Sequence, residues 1–332
     1  MTENPRIDNI VDGKACIHCH QCQEHCAFLK KYQIDIGDVD RLEKLAFHCF
    51  LCGVCTQVCP AGIDGRELIL TMRRRQTEEN GGKPPGKGYG MLLKEKRRYQ
   101  FRNDQNQTEK TILFPGCNFL AYYPQTTKYL AELLWKKAGI GVVFDCCGKP
   151  IAELGMRRDE ERIIGELNDR FTRAGIEEVI MVCPNCYDFL KGKLQARIVT
   201  IYEKLKELGL GRELSGDIRL YLPCPDRSSG EFLAKIEDFL TREPDVVRDV
   251  QCCGLGGCGR VLEPQIAQEM LQTLQPGEKI YTYCASCCGA FTRRGDLCVR
   301  HVLAEILGIN EQADAKNALL NRMKFKYWKE KR

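Results

Sequence analysis

Thiols dominate the chemistry available to this chain, which has 21 cysteines in 332 residues. Cys16, Cys19, Cys22 and Cys26 stand as C-x2-C-x2-C-x3-C, and Cys49, Cys52, Cys55 and Cys59 repeat that spacing with Pro60 behind them. Three thiolates on so tight a loop can hold three corners of a four-iron cubane, while the fourth cysteine of each run reaches the other cluster. The spacing predicts two ligand sets: Cys16, Cys19, Cys22 and Cys59, and Cys49, Cys52, Cys55 and Cys26. Structural zinc takes two separated cysteine pairs rather than even triplets, so it fits this pattern poorly. Ala27 departs from the proline usual after the fourth cysteine, in a run that is otherwise intact. Four of the five histidines (His18, His20, His25, His48) lie here. With eight cysteines available none is needed as a ligand, and partly exposed histidines are expected.

Ten more cysteines fall into two sets of five. The first is Cys117, Cys146, Cys147, Cys183 and Cys186; the second is Cys224, Cys252, Cys253, Cys284 and Cys287. A cubane or a structural zinc uses four thiolates, so a fifth implies a distorted cluster, a bridging thiolate or a switchable site. Cys258, Cys288 and Cys298 remain and are expected to be buried bystanders. The adjacent Cys287 and Cys288 leave open which of them serves the second set. Lys149 and Arg260, which follow the two Cys-Cys-Gly motifs, could draw an anionic substrate or raise a potential; solvated surface cations are the expectation.

These residues need elements to place them. Short β-rich runs (Thr111 to Phe114, Val142 to Phe144, Val179 to Val182, Ile218 to Leu222, Lys279 to Tyr283) each end at or just before a motif cysteine. Pro124 to Ala138 reads as a helix, with Leu130, Leu133, Leu134 and Ala138 on one face and Gly139 as its stop. Alternating strands and helices predict mainly parallel sheets, which place their sites beyond the carboxyl ends of the strands. The pattern also runs twice. Leu113-Phe114-Pro115-Gly116-Cys117 answers Leu220-Tyr221-Leu222-Pro223-Cys224, Cys146-Cys147-Gly148 answers Cys252-Cys253-Gly254, and Cys183-Pro184-Asn185-Cys186 answers Cys284-Ala285-Ser286-Cys287. Val39, Leu42, Leu45 and Ala46 recur at helical spacing within Phe28 to Phe47, so the head is expected to be helical. The expected division is a two-cluster head over 1–76, a basic Gly/Pro linker over 77–108, repeats over 109–212 and 213–310, and a basic tail helix over 311–332.

The two CCG motifs, Phe114-Pro115-Gly116-Cys117, Cys183-Pro184-Asn185-Cys186 and Cys253-Gly254-Leu255-Gly256-Gly257 resemble the cysteine-rich domain of heterodisulfide reductase B and D subunits. That domain also occurs in iron-sulfur subunits of glycolate oxidase, lactate-utilisation and anaerobic glycerol-3-phosphate dehydrogenase complexes, and the head resembles the reductase C subunit. The resemblance implies an α/β fold: an N-terminal α-helical ferredoxin-like domain, then a duplicated CCG-domain α/β body. It implies two [4Fe-4S] cubanes in the head and a noncubane four-iron cluster in each five-cysteine set, all ten body cysteines serving catalysis. It further implies an oxidoreductase subunit that cleaves a disulfide between the two sets, with a small thiol or disulfide as substrate. The alternative is an electron-transfer subunit that wires an FAD-linked 2-hydroxyacid or glycerol-3-phosphate dehydrogenase to quinone. Either way the expected partner is a flavin-containing subunit or a membrane cytochrome and quinone module. Gly254-Leu255-Gly256-Gly257-Cys258-Gly259 lacks G-x-G-x-x-G spacing, so no flavin or NAD is expected in this chain.

Composition narrows the rest. An apolar content of 43% with 29% charged residues is that of a folded globular chain. The net charge of +5 is local: Arg73 to Arg102 carries ten Lys/Arg against three acids, and Arg322 to Arg332 carries six against one. No aromatic-interleaved basic motif accompanies these runs, so nucleic acid is not expected as a partner and solvated linker and tail are. The disulfide-rich secreted class is disfavoured by chain length, by adjacent cysteines that suit bridges poorly and by a polar stretch, Met1 to Asp12, where a signal would be apolar. The expected location is the cytoplasm, with peripheral attachment to the inner membrane face through a partner. Leu319, Leu320, Met323 and Tyr327 form an apolar stripe in the basic tail, suited to a membrane surface or a partner subunit.

Overall fold

The computed structural model describes residues 15–108 and 110–329. Met1 to Asp12, Glu109 and residues 330–332 of the tail lie outside the described residues. The chain forms two compact units, neither contiguous in sequence. The first joins the head, up to Lys94, with Pro150–Glu160 and Asp249–Leu274. The second comprises Glu95–Lys149, Glu161–Arg248 and Gln275–Arg332.

The first unit is helical. Short helices Gln21–His25, Ala27–Tyr32, Val39–Lys44 and Val54–Val58 lead to a longer one, Gly65–Glu79, capped by the Asp64 carboxylate accepting from the Arg66 and Glu67 amides. The short helices have too few residues to stand alone, so burial must hold them. Phe28, Leu29, Leu42, Ala46, Phe47 and Phe50 are all buried, and a fully buried Leu or Phe contributes about 1.5–3 kcal/mol. Gln21–His25 and Val54–Val58 each begin after a left-handed residue, His20 at φ 59° and Gly53 at φ 75°, at equivalent places in the two cysteine runs. Of the basic segment 77–108, Gly90–Lys96 is helical.

The second unit carries the sheets. One has five strands: β1 (Asn103–Asn106), β2 (Lys110–Phe114), β3 (Gly141–Phe144), β4 (Ile176–Met181) and β5 (Arg197–Thr200) in the order β1-β3-β2-β4-β5. The other has β6 (Arg219–Tyr221), β7 (Asp245–Val247), β8 (Lys279–Thr282) and β9 (Cys298–His301) in the order β7-β6-β8-β9. Among the described strands only β1 runs antiparallel to its neighbour, β3. Without it, β3-β2-β4-β5 and β7-β6-β8-β9 are the same parallel topology used twice, and the cysteines follow the carboxyl ends of β2, β3, β4, β6 and β8. The fold class is therefore α/β with mainly parallel sheets and one topology used twice, as the sequence indicates.

Helix Pro124–Ala138 forms over the expected span, with Gly139 at φ 65° closing it. Its buried face is Thr126, Thr127, Leu130, Ala131 and Leu134; Leu133 is only half-buried and Ala138 is exposed. The tail folds as a helix over Ala318–Lys326, with the Phe325 ring 4.9 Å from that of Phe144. The Leu319, Leu320, Met323 and Tyr327 stripe faces outward. Among the described residues no helix is long and apolar enough to cross a membrane.

Candidate metal centres

In the head the two cysteine runs fold alike. His18 at φ 49° and Leu51 at φ 51° occupy equivalent positions in conformations that side chains rarely adopt. That turn aims the His18 amide at Cys16 Sγ (3.4 Å) and the Leu51 amide at Cys49 Sγ (3.3 Å). Gly37 and Gly65 leave the sulfurs room: a Cβ on either would lie 2.7 Å from Cys16 Sγ or 2.6 Å from Cys55 Sγ. Cys16, Cys19, Cys22 and Cys59 line one cleft with Asp35, Ile36 and Ile63. The second run draws in Cys26, since burial and the neighbouring Cys52 and Cys49 sulfurs push its thiol up. Cys55 is pushed well up by burial and by Cys49, Cys52 and Cys26. Each group thus gathers four sulfurs, one lent by the other run, and a cluster that accepts thiolates is what such a donor set fits.

The residues around the two groups differ. Beside the first is the buried Asp35 carboxylate, 3.9 Å from Cys16 Sγ, with His18 Nδ1 at 2.9 Å and His20 Nδ1 at 3.3 Å. Beside the second is Arg73, with no solvent exposure, which donates to the carbonyls of Ala46 (3.0 Å), Glu153 (2.7 Å), Gly257 (2.6 Å) and Cys49 (2.6 Å). Burial pulls the Arg73 guanidinium down against the opposing pull of the Cys49 sulfur. Solvated basic residues were expected here; Arg73 is instead a buried cation that ties Pro150–Glu160 and Asp249–Leu274 to the head. The Glu263 carboxylate supports the same arrangement, binding Lys31 Nζ (2.6 Å), the Tyr32 hydroxyl (2.6 Å) and His48 Nδ1 (2.6 Å). His25 Nδ1 contacts the Gln21 carbonyl, so the described head histidines have polar partners.

All five cysteines of the first set lie in the second unit and are buried. Cys117 and Cys146 sulfurs are 3.8 Å apart. Hydrogen bonds from the Cys146 and Cys186 thiols hold Cys147 below its usual range. Gly116, at φ 80°, lies where a Cβ would be 2.9 Å from Cys186 Sγ, so only glycine lets the β2 turn close over the sulfurs. Cys183 then reaches beyond its own set and bonds the Cys284 thiol, which it and Cys287 together hold well below the usual range. Asn185 reinforces this junction. Its Oδ1 accepts from Lys149 Nζ at 2.7 Å, which leaves Nδ2 to donate to Cys284 Sγ at 3.4 Å. Lys149 is therefore buried beside the site, whereas Arg260 is exposed as expected.

Three residues from the basic runs also surround the first set. Tyr99 packs on Cys117 and Cys146, and Lys96 lines a cleft with Tyr99 and Cys146. Burial pulls the Lys96 ammonium down, but the Cys117 and Cys146 sulfurs hold it above its usual range. Glu95 Oε1 lies 2.7 Å from Lys96 Nζ, and the buried Tyr99 hydroxyl has no hydrogen-bond partner among the described residues. Arg322 donates to the Cys117 carbonyl (3.2 Å) and to Asn118 Oδ1 (2.8 Å). The sequence did not single these residues out: in the chain Lys96 and Arg322 are indistinguishable from solvated lysines and arginines.

The second set does not fall in one unit: Cys224, Cys284 and Cys287 belong to the second, Cys252 and Cys253 to the first. In the second unit the Asp226 carboxylate accepts from the Tyr283 hydroxyl (2.6 Å) and the Phe232 and Leu233 amides (3.0 and 2.9 Å). Burial holds His301 down, to about 4, hence neutral at pH 7. Cys288 is buried in helix Ala285–Thr292, 4.0 Å from the Thr282 carbonyl. Cys298 is half-buried on β9, and Cys258 is half-buried at φ 57°.

Comparison with known proteins places this arrangement among duplicated cysteine-rich domains. The family model described as "Cysteine-rich domain" (CCG) matches residues 111–191 and again 220–292. An uncharacterized iron-sulfur protein of Methanocaldococcus jannaschii is 24% identical over 317 residues, covering 80% of this chain and 62% of its own. The D subunit of the dihydromethanophenazine:CoB--CoM heterodisulfide reductase of Methanosarcina mazei is 24% identical over 279 residues, covering 71% and 68%. The B subunit of the CoM/CoB fumarate reductase of Methanothermobacter marburgensis is 22% identical over 331 residues, covering 82% and 66%. The chain spans a little over three fifths of the length of the first curated relatives it matches, 62% and 63%. Two stretches, together a little under half of the chain, match the CCG model, and the chain is similar to proteins named as an iron-sulfur protein and as oxidoreductase subunits.

Proposed function

We propose that this chain is the iron-sulfur subunit of a heterodisulfide-reductase-like complex, in which the head passes electrons to a site that reduces a disulfide or a related sulfur substrate. The observation that carries this reading is the junction of the two five-cysteine sets, where Asn185, between Cys183 and Cys186 of the first, donates from Nδ2 to Cys284 Sγ of the second at 3.4 Å. Two sets that adjoin in this way offer a position on either side of one S–S bond. Reducing that bond takes two electrons and two protons and yields two thiols, whereas iron-sulfur clusters supply electrons one at a time. In this proposal Cys16, Cys19, Cys22 and Cys59 hold one cubane, and Cys49, Cys52, Cys55 and Cys26 the other. Cys117, Cys146, Cys147, Cys183 and Cys186 hold one noncubane cluster, and Cys224, Cys252, Cys253, Cys284 and Cys287 the second. Asn185 and Lys149 fix the junction, while Lys96 and Arg322 offset negative charge at Cys117 and Cys146. A flavin-bearing partner is the proposed electron source.

The test is low-temperature EPR of the anaerobically purified chain with and without added thiol. A thiol-dependent paramagnetic signal, lost in Cys147→Ser and in Cys253→Ser, is the expected result. A chain with all its clusters whose spectra ignore thiol and disulfide would instead be a plain electron carrier between a flavin dehydrogenase and quinone.

A further inference from the structure

Gln251 stands immediately before the Cys252-Cys253 pair, yet its side chain belongs to the head. Its Oε1 accepts from the Ala27 amide at 2.8 Å. An amide N–H can only donate, so the oxygen must face Ala27 and Nε2 must face the other way. There it lies 3.5 Å from Cys26 Sγ and 3.5 Å from Cys52 Sγ, two of the four sulfurs gathered at the second head group. The backbone around it is held against the same loop. A Cβ at Gly257 would lie 2.6 Å from the Phe50 carbonyl carbon, and one at Gly259 would lie 2.8 Å from the Cys49 carbonyl oxygen, so the chain approaches as closely as glycine allows. Arg73 also donates to the Gly257 carbonyl at 2.6 Å.

The two head groups therefore sit in opposite electrostatic settings. Hydrogen bonds to cluster sulfurs and nearby positive charge stabilise the reduced, more negative state; a nearby carboxylate and an exposed position act differently on it. The second group has Gln251 and Arg73. The first has Asp35, an exposed Cys19 and Ile17 at 66% exposure.

We propose that Gln251 is the positioning residue that joins the second head cluster to the Cys252-Cys253 pair, and that with Arg73 it sets that cluster at a higher potential than its twin beside Asp35. Electrons from a reduced flavin partner arrive one at a time at the exposed first loop, each oxidising the donor by one electron. They move to the second loop and leave it past Gln251 for the iron-sulfur cluster that Cys252 and Cys253 would help to hold, which each electron reduces by one. This inference rests on the proposed cluster assignments in the head and at Cys252 and Cys253, and is independent of whether the substrate is a disulfide.

The experiment is an EPR-monitored redox titration of the full-length, anaerobically purified protein, with iron content and melting temperature measured alongside. Gln251→Leu should retain its iron and lower the midpoint of one cubane signal by at least a tenfold change in reduced-to-oxidised ratio, about 59 mV for a one-electron couple. The other cubane should stay put. Asp35→Asn should do the converse, raising the midpoint of the other signal only. Fully loaded Gln251→Leu protein with both midpoints unmoved, or with both moved equally, would overturn the role of Gln251. If Gln251→Leu loses iron, Gln251→Glu keeps the shape and the Ala27 contact while placing a carboxylate at the sulfurs, and an unchanged midpoint there overturns the proposal equally. Wild-type protein without two cubane signals would sink the head assignment itself.

Discussion

The two repeats of the body share strand order and cysteine spacing but not the residues set between the cysteines. After Cys117 the first repeat has Asn118 where the second, after Cys224, has Pro225; after the Cys-Cys-Gly motifs Lys149 faces Leu255; within the last motifs Asn185 faces Ser286. At each place the first repeat carries the stronger donor, and Lys96 and Arg322 add two more cations beside Cys117 and Cys146. In the second repeat Cys284 has the Cys183 and Cys287 sulfurs, the Asn185 Nδ2 and a neutral His301 about it, and the Tyr283 hydroxyl next to it in sequence donates to the Asp226 carboxylate, two residues beyond Cys224. Duplication supplied two copies of a five-cysteine pattern, and the described cations Lys96, Lys149 and Arg322 gather about the first. What differs between them should therefore be potential and anion affinity rather than cluster-holding capacity.

The sharpest way to break this comparison is at the residue the two sets share. Cys183→Ser removes a first-set sulfur and the contact with Cys284 together, and should cost about four irons per chain along with any thiol-dependent signal, read by iron assay and EPR. Next in size is Lys96→Met, which strips a buried cation from the first set while keeping its volume. It should lower the midpoint of one body signal by a tenfold change in ratio or more, about 59 mV, without moving the other; equal movement of both would remove the asymmetry. Asp226→Asn should act on the fold more than on the redox couple. A buried acceptor with several donors that is left partly unmatched costs about 1–3 kcal/mol. The melting temperature should fall while the signal attributed to the first set keeps its midpoint.

The sequence displayed the cysteines, the duplication and strands β2, β3, β4, β6 and β8, because thiol spacing and short β-rich runs are local features, while β5 and β9 went unread. Strand β1, Asn103–Asn106, was hidden because an antiparallel edge strand of four polar residues has no apolar signature. Strand β7, Asp245–Val247, is three residues long and falls below what a pattern can register. Arg73, Lys96 and Arg322 look like any residues of a charged run, and what distinguishes them is burial against elements distant in the chain. Gln251 carried the one faint signal, a polar amide abutting a Cys-Cys pair, but its aim at Cys26 and Cys52 depends on how Asp249–Leu274 folds with the head. The unit boundaries were illegible for the same reason: Pro150–Glu160 and Asp249–Leu274 lie inside the repeats in sequence yet join the head in space.

The most direct test of the whole account is iron counting on anaerobically purified full-length protein, with zinc measured in the same sample. Four four-iron clusters predict roughly 16 irons per chain and no stoichiometric zinc. Roughly 8 irons, with zinc occupying the five-cysteine sets, would leave a two-cluster relay on a structural body and contradict the proposed chemistry.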